Sequence, residues 1–166
     1  MLLTNDDRGA ISDLAHKAMP TIEQIIRIYA RAIGSPERFA LGIYDAGDLG
    51  SDYAAVANIE GRTIAEFTFG EEVWGERNYL ETAQSKAKVA LRTGRNSGDV
   101  ARDFPELLLP GEPRLAGGFL AELKGKPIVL GTSGLRQHED EALGRLLVEC
   151  MRRLGGEAPG SGAQAR

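Results

Sequence analysis

The stretch Leu115 to Leu147, LAGGFLAELKGKPIVLGTSGLRQHEDEALGRLL, holds two strands, a tight turn, a glycine loop and a helix with almost no spare residues. Phe119 to Leu123 is a short apolar-rich run. Lys124-Gly125-Lys126 reads as the turn, since glycine reaches positive φ without a steric penalty. Pro127 to Gly131 resumes as a strand, and a proline is tolerated at a first strand position. Thr132-Ser133-Gly134 closes it. A helix then starts among Glu139, Asp140 and Glu141, whose charges suit the positive end of a helix dipole. A hairpin feeding a helix start gathers hydroxyls and backbone N–H groups, a setting that suits a small anion or a carboxylate-bearing cofactor.

Upstream of this hairpin, Glu76 to Thr93 reads as a helix with Leu80, Ala83, Ala87, Ala90 and Leu91 on one side. The alanines make a thin face, which predicts close packing against the sheet or a partner. Gly94 suits a C-cap, and Asn96-Ser97-Gly98-Asp99 can cap a short helix to about Phe104. Pro105 to Pro113 is a loop rich in Leu and Pro, expected to cover core, ligand or another subunit. Downstream, Leu143, Leu146, Leu147, Cys150, Met151 and Leu154 hold one face of the last helix, which Gly155-Gly156 stops.

The N-terminal third reads as two helices and three strands. Thr4 to Met19 is the first helix, and Pro20 suits the first position of a second one running to Ile33. Arg38 to Tyr44 is a strand, and Tyr53 to Ile59 pairs with Thr63 to Phe69 across Glu60-Gly61-Arg62. Short links predict antiparallel pairing. The expected order is ααβββααββα. That is an α+β domain with an antiparallel sheet of about five strands flanked by helices, spanning residues 1–156, with 157–166 a flexible tail.

With 166 residues, 42% of them hydrophobic and 27% charged, the chain has the composition of one globular domain. Its net charge of −4 leaves no overall electrostatic footprint for nucleic acid. No apolar run approaches the ~20 residues that a membrane-spanning helix needs. The start MLLTNDDRGA lacks a basic region and an apolar run, so a cytoplasmic protein is expected. The single Cys150 allows no internal disulfide and sits at an apolar helix position, where it reads as a core thiol.

Three pieces of this chain carry a family resemblance. Ser85-Lys86-Ala87-Lys88-Val89-Ala90 with Thr93-Gly94-Arg95-Asn96-Ser97 is one; Ala116-Gly117-Gly118 is another; Gly131-Thr132-Ser133-Gly134 followed by Glu139-Asp140-Glu141 is the third. In order and spacing they resemble the GlcG/HbpS-like family of small haem-associated proteins. Its relatives include the C-terminal domain of PduO-type cobalamin adenosyltransferases. The resemblance spans roughly residues 38–154. It implies a profilin-like sheet, a homo-oligomer built from dimers, and binding of haem or a related small molecule. It also points to a hydroxyl residue near Ser97, or a histidine near the N-terminus, as a contact to haem iron. The chain departs from the pattern with Asn96 before Ser97, and with Phe119-Leu120 after the twin glycines.

The candidate ligand-binding residues are Lys86, Ser97, Gly117, Gly118, Thr132, Ser133, His16 and Arg77. His16 would serve as an axial haem ligand, or is a half-exposed surface residue. Arg77 with Lys86 would clamp a carboxylate such as a haem propionate, or both are solvated. His138 beside three acids suits a divalent metal or a plain polar helix start, and no Cys/His spacing typical of zinc occurs, so no metal site is expected. Neither Ser97 nor Ser133 lies in a G-x-S-x-G nucleophile turn, which disfavours a serine hydrolase. The leading reading is an oligomeric small-molecule-binding protein with haem as a candidate cofactor. The second is a metal-independent enzyme acting on a small organic acid or other metabolite, with Glu76, Asp99 or Asp140 as acid/base. The third is an accessory subunit without a ligand.

Overall fold

The computed structural model describes residues 2–47 and 58–158. Along the chain these form α1 (Asn5–Ala32), β1 (Phe39–Asp45), β2 (Thr63–Phe69), α2 (Tyr79–Thr93), α3 (Ser97–Asp103), β3 (Gly118–Leu123), β4 (Lys126–Ser133) and α4 (Gln137–Leu154). The four strands among the described residues make one antiparallel sheet in the order β2-β1-β4-β3. The α+β class and the helix-flanked antiparallel sheet stand. Among the described residues the order is αββααββα, with one N-terminal helix where two were expected. The expected strand 53–59 lies outside the described residues except for Asn58 and Ile59, which belong to no strand.

The β3–β4 hairpin turns through Lys124 and Gly125, both at positive φ, with Leu123 paired to Lys126. Its alternation then sorts side chains between two layers. Phe119, Leu123, Ile128 and Leu130 join Phe39, Leu41 and Ile43 beneath α1 and α4. Val129 and Tyr44 face the other way, against Ala87, Ala90 and Leu91 of α2. The alanine face of α2 therefore meets the sheet.

Residues 5–32 form one helix rather than two, with Pro20 inside it. Pro20 has no N–H for the carbonyl of His16, a loss that normally breaks a helix. Here the apolar stripe continues across it: Leu14, Ala15, Ala18 and Met19 before, Ile22, Ile26 and Ala30 after, all buried. Continuous burial against α4 and the sheet outweighs one missing hydrogen bond. The N-terminus is capped by Thr4, whose hydroxyl accepts from the Asp7 N–H at 3.1 Å.

The Leu/Pro loop covers less than expected, since Leu107 and Leu109 are exposed. It is tied to α2 by Arg92, which reaches Glu112 and the Leu107 carbonyl. Glu157 accepts from the Lys124 N–H at 2.9 Å, and residues 159–166 lie outside the described residues. No helix among the described residues is long and apolar enough to cross a membrane.

Candidate functional site

The twin glycines open β3 directly beneath α2. A Cβ on Gly118 would stand 2.0 Å from the Lys86 carbonyl oxygen, and one on Gly131 would stand 1.9 Å from that of Ala83. Glycine at both places lets the helix backbone rest on the sheet. The alanine-faced helix and the twin glycines are thus side by side, and the junction between them is filled.

Lys86 runs along this junction and past the end of the sheet, beside Gly117. Its Nζ donates to the Thr132 carbonyl at 2.8 Å and to Asp140 Oδ2 at 3.1 Å. Asp140 sits on α4, against the opposite face of the sheet, and accepts the Leu135 N–H at 2.8 Å. Both side chains are buried, 1% and 2% exposed, so the pair bolts the two helix layers together. Burial pulls the Lys86 amine below its ordinary range and pushes the Asp140 carboxyl above its own, with the partner charge opposing each shift.

Ser97 is the second fastening. Its hydroxyl donates to the Leu115 carbonyl at 2.7 Å and accepts the Gly118 N–H at 2.9 Å, which fixes the start of α3 to the start of β3. Thr132 closes on Gly117 through its N–H at 2.9 Å and its hydroxyl at 3.0 Å. Ser133 is buried next to it. We expect Ser97→Ala to strand a buried N–H and lower stability by about 1–3 kcal/mol, measured by urea unfolding.

These fastenings hold the wall of an open cleft of about 550 Å³. Its lining comes from three segments: Gly98, Ala101 and Arg102 of α3, Arg114 and Ala116 of the following loop, and Arg136, Gln137 and His138 at the start of α4. Ser97 precedes Gly98, Gly117 follows Ala116, and Asp140 anchors the α4 turn that presents the last three. Most of the residues singled out from the sequence stand one layer behind the lining.

The remaining candidates are dispersed. His16 is exposed on α1, edge-on to Phe67 of β2 with ring centroids 4.9 Å apart. Strand β2 is the sheet edge opposite β3, so His16 and the cleft are on different sides. Arg77 is exposed, its guanidinium 5.8 Å from the Tyr79 ring centroid, while Lys86 is turned inward; the two do not form a clamp. Glu76 is exposed ahead of α2. Asp99 is engaged by Arg102 at 2.8 Å and Asn96 at 3.2 Å.

The arginines of the cleft escaped sequence reading because positions 102, 114 and 136 share no local pattern. One local signal existed. Arg136 is the N-cap of α4, where the helix dipole disfavours a cation. Broken local rules of this kind gather at functional sites.

No family model matches the chain, and no curated protein matches it in sequence. Solved structures match it in fold. A double mutant of HbpS from Streptomyces reticuli superposes with a TM-score of 0.56 at 19% identity, covering 93% of this chain and 87% of that one. A PduOC–haem complex gives 0.51 at 16%, covering 90% and 95%. The Klebsiella pneumoniae protein ORFY gives 0.53 at 16%, covering 82% and 87%. The chain has the GlcG/HbpS-like fold expected from its sequence. At these identities the likeness speaks for the fold alone.

Proposed function

We propose that the protein binds a small molecule in the cleft between α3 and the start of α4, with haem as the candidate guest. The observation that carries this reading is the convergence of three arginines and one imidazole from three chain segments on one cleft. The haem in the PduOC structure supports haem as a guest for this fold.

The residues present fit such a group at the cleft and not at the α2–β3 junction. At the junction, Lys86 and Ser97 already have partners, and the backbones touch. At the cleft, Arg102, Arg114 and Arg136 suit carboxylates such as the haem propionates, and the exposed His138 imidazole suits the iron. Haem would supply its own iron chemistry when bound. The chain's part is to hold the carboxylates and shield one face. Ser97, Gly117, Gly118, Lys86, Thr132 and Asp140 act in this reading as positioning residues behind the wall.

One observation favours a second attachment point. His16 Nδ1 lies 2.8 Å from the Ser12 carbonyl, which can only accept, a contact that suits the tautomer with Nε2 available to a ligand. Titration with haemin, followed by the Soret band, tests both. We expect a saturable shift, lost in His138→Ala if the cleft holds the iron and in His16→Ala if α1 does. A haemin spectrum unchanged by the protein would overturn haem as the guest. A homo-oligomer belongs to the same reading, supported by the exposed Ile28 (59%) and Leu154 (54%).

A further inference from the structure

We propose that the cleft is a polyanion site, selecting guests that carry two or more carboxylate or phosphate groups whatever scaffold bears them. This deepens the reading of the cleft as the binding place and rests on it, but not on haem.

The charge arrangement carries the inference. The chain as a whole is acidic, at −4, yet Arg102, Arg114, Arg136 and His138 converge on one open cleft. Of the nearest acids, Asp140 and Glu141 are withdrawn from it, while Glu139 stands 3.9 Å from the His138 imidazole. Glu139 accepts from the Tyr29 hydroxyl of α1 and the Arg136 N–H, Asp140 is held by Lys86 and Leu135, and Glu141 by Arg145. The Tyr29 bond, joined by the smaller effects of the Arg136 and His138 charges, holds the Glu139 carboxyl below its usual range, so it stays charged and offsets part of the cleft's positive charge. Asp99 and Asp103 offset Arg102 alone. Among the described residues no ion pair joins Arg114 to a carboxylate, and Arg136 is offset only in part by the Glu139 charge.

The position of Arg136 adds a second reason. A cation at a helix N-cap works against the dipole, offset in part by Glu139. A bound anion between Arg136, Arg114 and the helix start reverses that repulsion into attraction. The small residues Gly98, Ala101 and Ala116 leave the floor clear for a group to reach the guanidinium forks.

Calorimetric titration of the full chain at low ionic strength tests this with citrate as the carboxylate probe and pyrophosphate as the phosphate probe. We expect at least one to bind with one-site stoichiometry and to weaken steeply as salt is raised. Arg114→Gln with Arg136→Gln should weaken binding at least tenfold. Both positions are exposed, so an unchanged thermal transition verifies the fold. The arm that binds identifies the anion class. No binding of either probe, or binding unaffected by the double substitution, overturns the inference. If the probes bind and haemin does not, haem fails as the guest and the polyanion site stands. If haemin binds and neither probe does, the converse holds.

Discussion

Replacing Lys86 by methionine is expected to cost about 3–5 kcal/mol of folding stability, because it strands the Asp140 carboxylate in the interior. Asp140 is 2% exposed and keeps only the Leu135 N–H once the amine is gone. Urea unfolding followed by the fluorescence of the single Trp74 measures the loss. The double variant Lys86→Met with Asp140→Leu should recover most of it, since two apolar side chains of similar length leave no buried charge. A double-mutant cycle that returned no coupling between the two positions would show that the pair does not bind the layers together.

The same variant has a pH signature. In Lys86→Met the folded-state pKa of Asp140 is raised by burial with no cation to oppose it. A carboxyl raised on folding binds more protons in the native state than in the unfolded one. Stability therefore falls as pH rises from the ordinary carboxylate range toward the raised value. Relative to the parent, the deficit of Lys86→Met should shrink on acidification, as the orphaned carboxyl takes up a proton.

Gly118→Ala should destabilise at the upper end of the overpacking range, about 3 kcal/mol. Its new methyl would stand 2.0 Å from the Lys86 carbonyl oxygen, and that atom is helix backbone, which cannot rotate aside. Helix α2 would have to lift from the sheet, straining the Lys86–Asp140 contact and the Ser97 bond together. Gly131→Ala meets the Ala83 carbonyl in the same way at 1.9 Å. Gly111→Ala is the control. It has φ +86 with nothing within 4 Å, so only the left-handed penalty of about 1–2 kcal/mol applies. Thermal melts of the three variants should rank Gly111→Ala as the mildest. Equal losses would mean that the contact between α2 and β3 is looser than described.

Much of the fold was legible in the residues. Strand β2 starts and ends where alternation and the Glu60-Gly61-Arg62 turn set it, and α2 ends at Gly94 in the left-handed conformation. The break expected at Pro20 was a local rule overruled by the tertiary burial of a stripe on both sides of it. At the site, Lys86, Ser97, the twin glycines, Thr132 and Asp140 were all visible as unusual. Their partners were not. Lys86 and Asp140 are 54 positions apart, and Ser97 and Gly118 are 21.

The amino-acid order alone determined most of the described strands and helices, because backbone preference, capping and apolar period act within a few residues. Tertiary structure alone decided that α2 and α4 lie against opposite faces of a β2-β1-β4-β3 sheet, and that one buried ion pair reaches around its end between them. It decided, too, that three arginines with no shared pattern face one cleft. Those outcomes depend on how the strands pair across long stretches of chain, and long-range pairing leaves no periodic trace in the residues it brings together.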